Sequence, residues 1–425
     1  MGHVIGTPSG PRTPRALPAL TGIALLFALA LTACVPASTS PDAAETGGSA
    51  GGDSASAADE DASAADDASI PTPAEARHER AEAIVDAMTP RERAASVLMS
   101  TRSGTNAKRI RSFVKKNGLG GFILMGGNVP ADPDELREIT AAATPDPSFP
   151  PLLAVDEEGG IVSRLPWDHL PAADTLKDEP AKRTKAAFRA RTELLSEVGI
   201  NVNFGIVADV PGSEGSFIFE RALGRTPKAS AARVAAAVSG AHAAPSGDGQ
   251  GFVASTLKHF PGHGAAEGDS HIGVPSTGIS LKLWRKTHAP PFRAGIEAGA
   301  ELLMVGHLAY TAVDEKPASL SKRWHRIARD ELGFEGVIVS DDLGMLLSSG
   351  VPAYANIAKD VVRSLAAGTD LALVIQGLDD RSISGIIDAV EAAVDSGRLP
   401  ASRLHDAATR VAELRLRIGE AAANG

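Results

Sequence analysis

Cysteine is almost absent from this chain. Its 425 residues include one, Cys34, so no intramolecular disulfide can form. Basic charge is also in short supply. Lys and Arg total 42 against 52 Asp and Glu, for a formal net charge of −10. Nothing here builds a basic track, which argues against nucleic acid as a partner. No GxGxxG opens a helix after the first apolar run of the folded part, which counts against dinucleotide binding. What remains is ordinary globular composition, 43% hydrophobic and 22% charged, ample for a large core. Length alone would allow two or three domains, but α/β barrels often reach this size as single units.

One long apolar run exists, ALPALTGIALLFALALTA from Ala16 to Ala33, preceded by Arg12 and Arg15. It is short for a spanning helix with flanks and reads as the core of a signal peptide over residues 1–33. It ends Leu31-Thr32-Ala33-Cys34. That ending resembles the bacterial lipobox, whose cysteine is lipidated and becomes the first mature residue. Residues 34–71 then read as the lipidated Cys34 and an Ala/Ser/Gly/Asp-rich tether. Val35 to Ile70 has eight acidic residues and no Lys, Arg or aromatic, too little apolar surface to order itself. As a flexible coil it would span roughly 30–36 Å. The expected organisation is a folded domain, residues 72–425, tethered by lipid to the extracytoplasmic face of a cell membrane. An anchored enzyme and an anchored binding protein both fit this much.

Eight short apolar runs recur along the folded part: 95–100, 121–126, 151–156, 202–210, 253–260, 301–307, 336–342 and 371–376. They are continuous rather than alternating, the pattern of parallel strands buried on both faces. Ala-rich amphipathic segments such as 183–199 and 229–244 lie between them, so strand and helix alternate. Eight βα units predict an α/β fold closed as a (β/α)₈ TIM-type barrel, with an open doubly wound sheet as the alternative. The run ASVLMS at 95–100 is ambiguous, because it also reads as a helix end.

Asp156, Asp209, Lys258, His259, His307, Asp341 and Asp342 all sit at the C-terminal ends of these runs. In a parallel barrel those ends share one face, where barrel enzymes keep their chemistry. A solute-binding protein would be expected to show two lobes rather than one repeating series. The stretch KHFPGHGAAEGDSH, Lys258 to His271, concentrates three histidines with Glu267 and Asp269 in a glycine-broken loop. Zinc held by His259, His263, Asp269 and His271 is one reading, but the spacing matches no standard metal pattern. No metal and no cofactor is expected.

GVIVSDDLGM, residues 336–345 after IARDELGFE, resembles the nucleophile signature of glycoside hydrolase family 3, with Ser340, Asp341 and Gly344 at its defining positions. DEEGGIVSRL, residues 156–165, resembles that family's sugar-binding segment, which implies Asp156 and Arg164 as sugar ligands. The 258–271 stretch resembles the segment of its bacterial β-N-acetylglucosaminidases. The resemblance spans about 80–415. It departs at Glu157 and Ile161, where Gln and Arg are usual. It departs again at RALGRTP, 221–227, where Thr226 replaces Asp and puts Arg221 in doubt as a sugar ligand. Ala328 stands where a larger aliphatic is typical.

Retaining glycoside hydrolysis needs a nucleophile and an acid/base across the anomeric carbon. Asp341 at a rigid strand end suits the nucleophile. Asp342 would point away from the pleat and act as a structural hydrogen-bonder. Asp269 and His271 are two apart, so an extended segment puts both on one face. The carboxylate can then fix the imidazole's tautomer and ready it to donate a proton. The resemblance implies the same dyad. Lys258 and His259 would grip sugar hydroxyls and His263 would brace the loop, while Glu267 is the competing acid. The reading is a retaining exo-β-N-acetylglucosaminidase acting on GlcNAc-containing saccharides or muropeptides from peptidoglycan. A phosphorylase, a β-glucosidase and a non-catalytic anchored sugar-binding protein are the alternatives.

Overall fold

A computed structural model describes residues 71–245, 251–376 and 380–423. The signal-peptide reading of 1–33, Cys34 and the tether to residue 70 lie outside the described residues.

All eight apolar runs form strands: β1 Leu98–Ser100, β2 Gly121–Leu124, β3 Leu152–Val155, β4 Val202–Val207, β5 Ala254–Phe260, β6 Leu302–Val305, β7 Val337–Ser340 and β8 Ala372–Val374. Neighbours in sequence are neighbours in space, every pairing is parallel, and β8 pairs back onto β1 with Leu98 opposite Ala372. Between β7 and β8 the ring closes through the parallel bridge Val339–Leu371. Leu371 N donates to Ile338 O at 3.1 Å and Ser340 N to Leu371 O at 3.1 Å. The fold is therefore the α/β barrel, and the open sheet is excluded.

Side chains alternate as the pleat requires. Leu152 and Ala154 of β3, and Val337 and Val339 of β7, join Met99, Ile123, Phe204, Met304 and Leu373 in the barrel interior. Leu153, Val155 and Ile338 face outward, under the helices. Both faces are buried, which is why the runs read as continuous. Val411, Leu414 and Ile418 of the last helix, Ala401–Ala423, pack into the interior cluster and cover its lower end. The open end is the one where the strands finish.

Three segments differ in their bounds from the sequence reading. ASVLMS splits, its first residues ending the helix Pro90–Ser96 and its last three forming β1. The segments read as 183–199 and 229–244 form helices Ala181–Glu197 and Pro227–Ala241, about two residues earlier. Gly199 takes φ +73° and stops the first, while the Thr226 hydroxyl accepts from Ala229 N and starts the second.

Candidate active site

The strand ends converge on a pocket of about 190 Å³. Asp156, Arg164, Arg221, Lys258, His259, His271 and Asp341 all line it, from the ends of four strands, β3, β4, β5 and β7, or the connections that follow them. Its apolar side is Met125, Val162, Phe217, Met304, Met345, Leu373 and Ile375. The pocket is smaller than the ~300–1,000 Å³ typical of drug-sized ligands, with room for a single ring-sized group.

The loop after β3 doubles back at Gly159 and Gly160, with φ +84° and +65°, which L side chains adopt only under strain. Glu158 N then donates to Val162 O at 3.0 Å, and the chain returns to place Arg164 beside Asp156, Nη2 to Oδ2 3.8 Å. Glu157 fastens the return. Its carboxyl meets Ser163 Oγ and accepts from Arg164 N at 2.8 Å and Leu165 N at 2.9 Å. Burial pushes Glu157 up to about 7, against the pull of those donors.

Glu158 was not singled out by the sequence reading, yet it organises the polar wall. It is buried and clamps Arg221 at both oxygens, 2.6 and 2.9 Å, while Lys258 Nζ lies 2.7 Å away. Lys258 Nζ also reaches Asp156 Oδ1 at 2.8 Å. Burial alone would raise Glu158, but Lys258 and Arg221 outweigh it and hold it at about 2. Burial alone would lower Lys258, but Asp156 and Glu158 keep it above its ordinary value. Lys258, Arg221 and Asp156 thus line the wall and the buried Glu158 ties the two cations together from behind, so their hydrogen-bonding directions are set by the protein itself. The motif departure at Thr226 does not displace Arg221. Thr226 caps a helix start, a job Asp and Thr both perform.

The Lys258–His259 peptide bond is cis, and both side chains reach the cavity. Asp209, two residues past β4, stands behind them. It receives His259 Nδ1 at 2.8 Å and His263 N at 2.5 Å. Burial would raise Asp209, and the two histidines bring it below its ordinary value. With Nδ1 committed, His259 turns Nε2 toward Arg221 Nη2, 3.2 Å away. His263 braces the loop as expected, its Nε2 3.1 Å from Ser270 Oγ, and burial lowers it to about 4, so it stays neutral. Trp284 Nε1 donates to Pro261 O at 2.7 Å and Tyr310 OH to Gly262 O at 2.6 Å, pinning the start of the same loop.

Asp341 follows β7 directly, and one of its oxygens takes Asp342 N at 2.8 Å. Burial would raise it, but His259, His307 and Lys258 bring it below the usual aspartate value, so it is an anion at neutral pH. Asp342 is a structural hydrogen-bonder, accepting from Gly344 N at 2.9 Å and Ile375 N at 2.8 Å. His307, though at a strand end, is buried behind the site and bonds Asp342 O and Ser319 Oγ. His271 Nδ1 lies 2.6 Å from Asp269 Oδ1, which also accepts His271 N at 2.9 Å. That pairing leaves Nε2 as the atom able to exchange a proton with a substrate. Glu267 is exposed and does not line the cavity.

The Glycosyl hydrolase family 3 N terminal domain profile matches residues 90–414. A beta-hexosaminidase of Pseudomonas aeruginosa is 36% identical over 273 residues, covering 62% of this chain and 77% of that protein. Among solved structures, a glycoside hydrolase family 3 beta-N-acetylglucosaminidase from Paenibacillus superposes with a TM-score of 0.70 at 28% identity, covering 80% of this chain and 64% of that one. The M. tuberculosis protein LpqI superposes with a TM-score of 0.68 at 28% identity, covering 79% and 96%.

Proposed function

From the premise that this chain belongs to glycosyl hydrolase family 3, we propose that it is a retaining, exo-acting β-N-acetylglucosaminidase using Asp341 as nucleophile and His271 as acid/base. It is a glycoside hydrolase acting as a β-N-acetylhexosaminidase, the activity its relatives carry in their names. One observation carries the finer reading. An ionised Asp341, the His271 imidazole paired with Asp269, and the polar side chains of Asp156, Arg164, Arg221, Lys258 and His259 surround one ring-sized cavity.

In the first step an Asp341 oxygen bonds to the anomeric carbon as the glycosidic C–O bond breaks. His271 Nε2 gives its proton to the departing oxygen, and Asp269 stabilises the ring while it is charged. In the second step the now neutral His271 takes a proton from water. That water attacks the anomeric carbon from the vacated face, Asp341 departs, and configuration is retained. The charged wall of Glu158, Lys258 and Arg221 is already oriented, so little reorganisation accompanies reaction.

The substrates proposed are GlcNAc-ended saccharides or muropeptides released from peptidoglycan, met at the extracytoplasmic face of a membrane to which lipidated Cys34 holds the protein. Support for that address is the sequence of residues 12–34 and the acidic tether. The test is chromogenic β-GlcNAc against β-glucose, each with and without phosphate. Turnover of β-GlcNAc that needs no phosphate and yields the β-anomer first is expected. Preference for glucose, or release of a sugar 1-phosphate, would overturn it.

A further inference from the structure

His271 and Asp269 are bonded to each other, but both belong to the loop 261–275. That pair alone gives the proton donor no fixed place over the cavity, and the His271 side chain is 54% exposed. The ring of Phe217 supplies an outside reference. Phe217 lies on the connection after β4, 41% exposed, and lines the cavity. Its centroid is 6.2 Å from that of His271, rings at 65°, and 5.4 Å from that of His263. Edge-to-face pairs at about 4.5–7 Å are the favoured aromatic geometry. His263 is in turn bonded to Ser270, next to His271, so Phe217 touches the loop at two places.

Phe217 is itself well anchored. The adjoining Ile218 and Ala222 are fully buried, with Ala222 N donating to Ile218 O at 2.9 Å. The Arg221 guanidinium lies 5.9 Å from the ring and is held by Glu158. The buried charge wall thus locates Arg221, Arg221 borders Phe217, and Phe217 borders the imidazole.

We infer that Phe217 is a positioning residue for the proton donor, the surface against which loop 261–275 registers His271 Nε2 at the glycosidic oxygen. This rests on the reading of His271 as acid/base. A bland role as a platform under a sugar ring would act on binding whatever the leaving group. A positioning role acts through His271 and shows only where protonation is needed.

The full chain with Phe217→Ala, Phe217→Tyr, His271→Ala and the Phe217→Ala/His271→Ala pair is assayed for kcat/KM on nitrophenyl and alkyl β-GlcNAc. Phe217→Ala should lower the alkyl value by about 10–100-fold more than it lowers the nitrophenyl value, the cost of an ångström-scale misplacement. Phe217→Tyr, which keeps the ring, should restore the alkyl value. Adding Phe217→Ala to His271→Ala should cost the alkyl substrate no more than Phe217→Ala costs the nitrophenyl one. Equal losses on both substrates, no loss on either, or alkyl losses that multiply in full in the pair would overturn the inference. If His271→Ala shows no leaving-group dependence, the acid/base assignment falls first and the inference with it.

Discussion

Glu157 stands where the family usually carries glutamine, and its burial makes it pH-sensitive. The folded carboxyl titrates near 7, against 4.5 for an unstrained glutamate. Between those values the native state holds a proton that the unfolded chain has released. Stability therefore falls as pH rises from about 5 and levels off above about 7. At ~1.4 kcal/mol per tenfold change in proton affinity, the full effect is about 3 kcal/mol. The geometry says what the neutral form looks like. Oε2 accepts Arg164 N and Leu165 N, while a proton on Oε1 points to Ser163 Oγ, whose hydroxyl can pass on to Leu165 O at 3.4 Å. A glutamine amide makes the same contacts, its oxygen toward the two amides and its NH₂ toward Ser163. Glu157→Gln should thus leave stability near pH 5 almost unchanged. Its advantage over the native chain should grow by about 2–3 kcal/mol between pH 5 and pH 8. Urea unfolding followed by the fluorescence of the three tryptophans would measure both profiles. Parallel profiles would refute the reasoning, since they would mean that Glu157 titrates alike in both states.

Further outcomes are expected at the site and outside it. Asp341→Ala should lower turnover by at least about 10³-fold, roughly 4 kcal/mol of barrier, with the fold intact. A 2-fluoro-sugar probe should label Asp341 in the native enzyme, and a label on Asp156 or Asp342 would contradict the assignment. Because the folded Asp341 lies below the usual aspartate value, its nucleophilicity should persist into acid and disappear only as pH drops through that lowered value. Glu158→Ala, which leaves Lys258 and Arg221 facing each other without their shared anion, should destabilise the fold by about 3–5 kcal/mol in a chemical melt. The milder Glu158→Gln should raise KM more than it lowers kcat. Cys34→Ala should abolish fatty-acid labelling and move the protein out of the membrane fraction, and equal labelling of both forms would end the lipoprotein reading.

The strands were legible because each in a closed parallel barrel is buried on both faces, so apolar residues run without a break from Leu152 to Val155 and from Val337 to Val339. Polar residues at the ends of those runs had to share a face for the same reason, and Asp156, Lys258, His259 and Asp341 do line the cavity. The Asp269–His271 pair was named from its spacing, but a turn rather than the expected extended segment brings the two together, with Ile272 N on Asp269 O at 3.3 Å and His271 N on Asp269 Oδ1 at 2.9 Å. Short-range patterns of this kind are set by backbone geometry alone. The ambiguity of ASVLMS was local too, since a helix end and a strand start share the same apolar letters. Other facts depended on ring closure. Glu158 meets Arg221 across 63 residues and Asp209 meets His259 across 50. Nothing in either segment names its partner, because the partner is chosen by which strands become neighbours. Thr226 looked like a threat to Arg221 until the helix it caps was in view. The chain by itself thus determined the barrel, its reactive end and the residue types gathered there. Only the tertiary structure decided which carboxylates are paired, which are pushed toward neutrality, and that an exposed phenylalanine borders the proton donor, because burial and long-range contact exist only once the eighth strand has met the first.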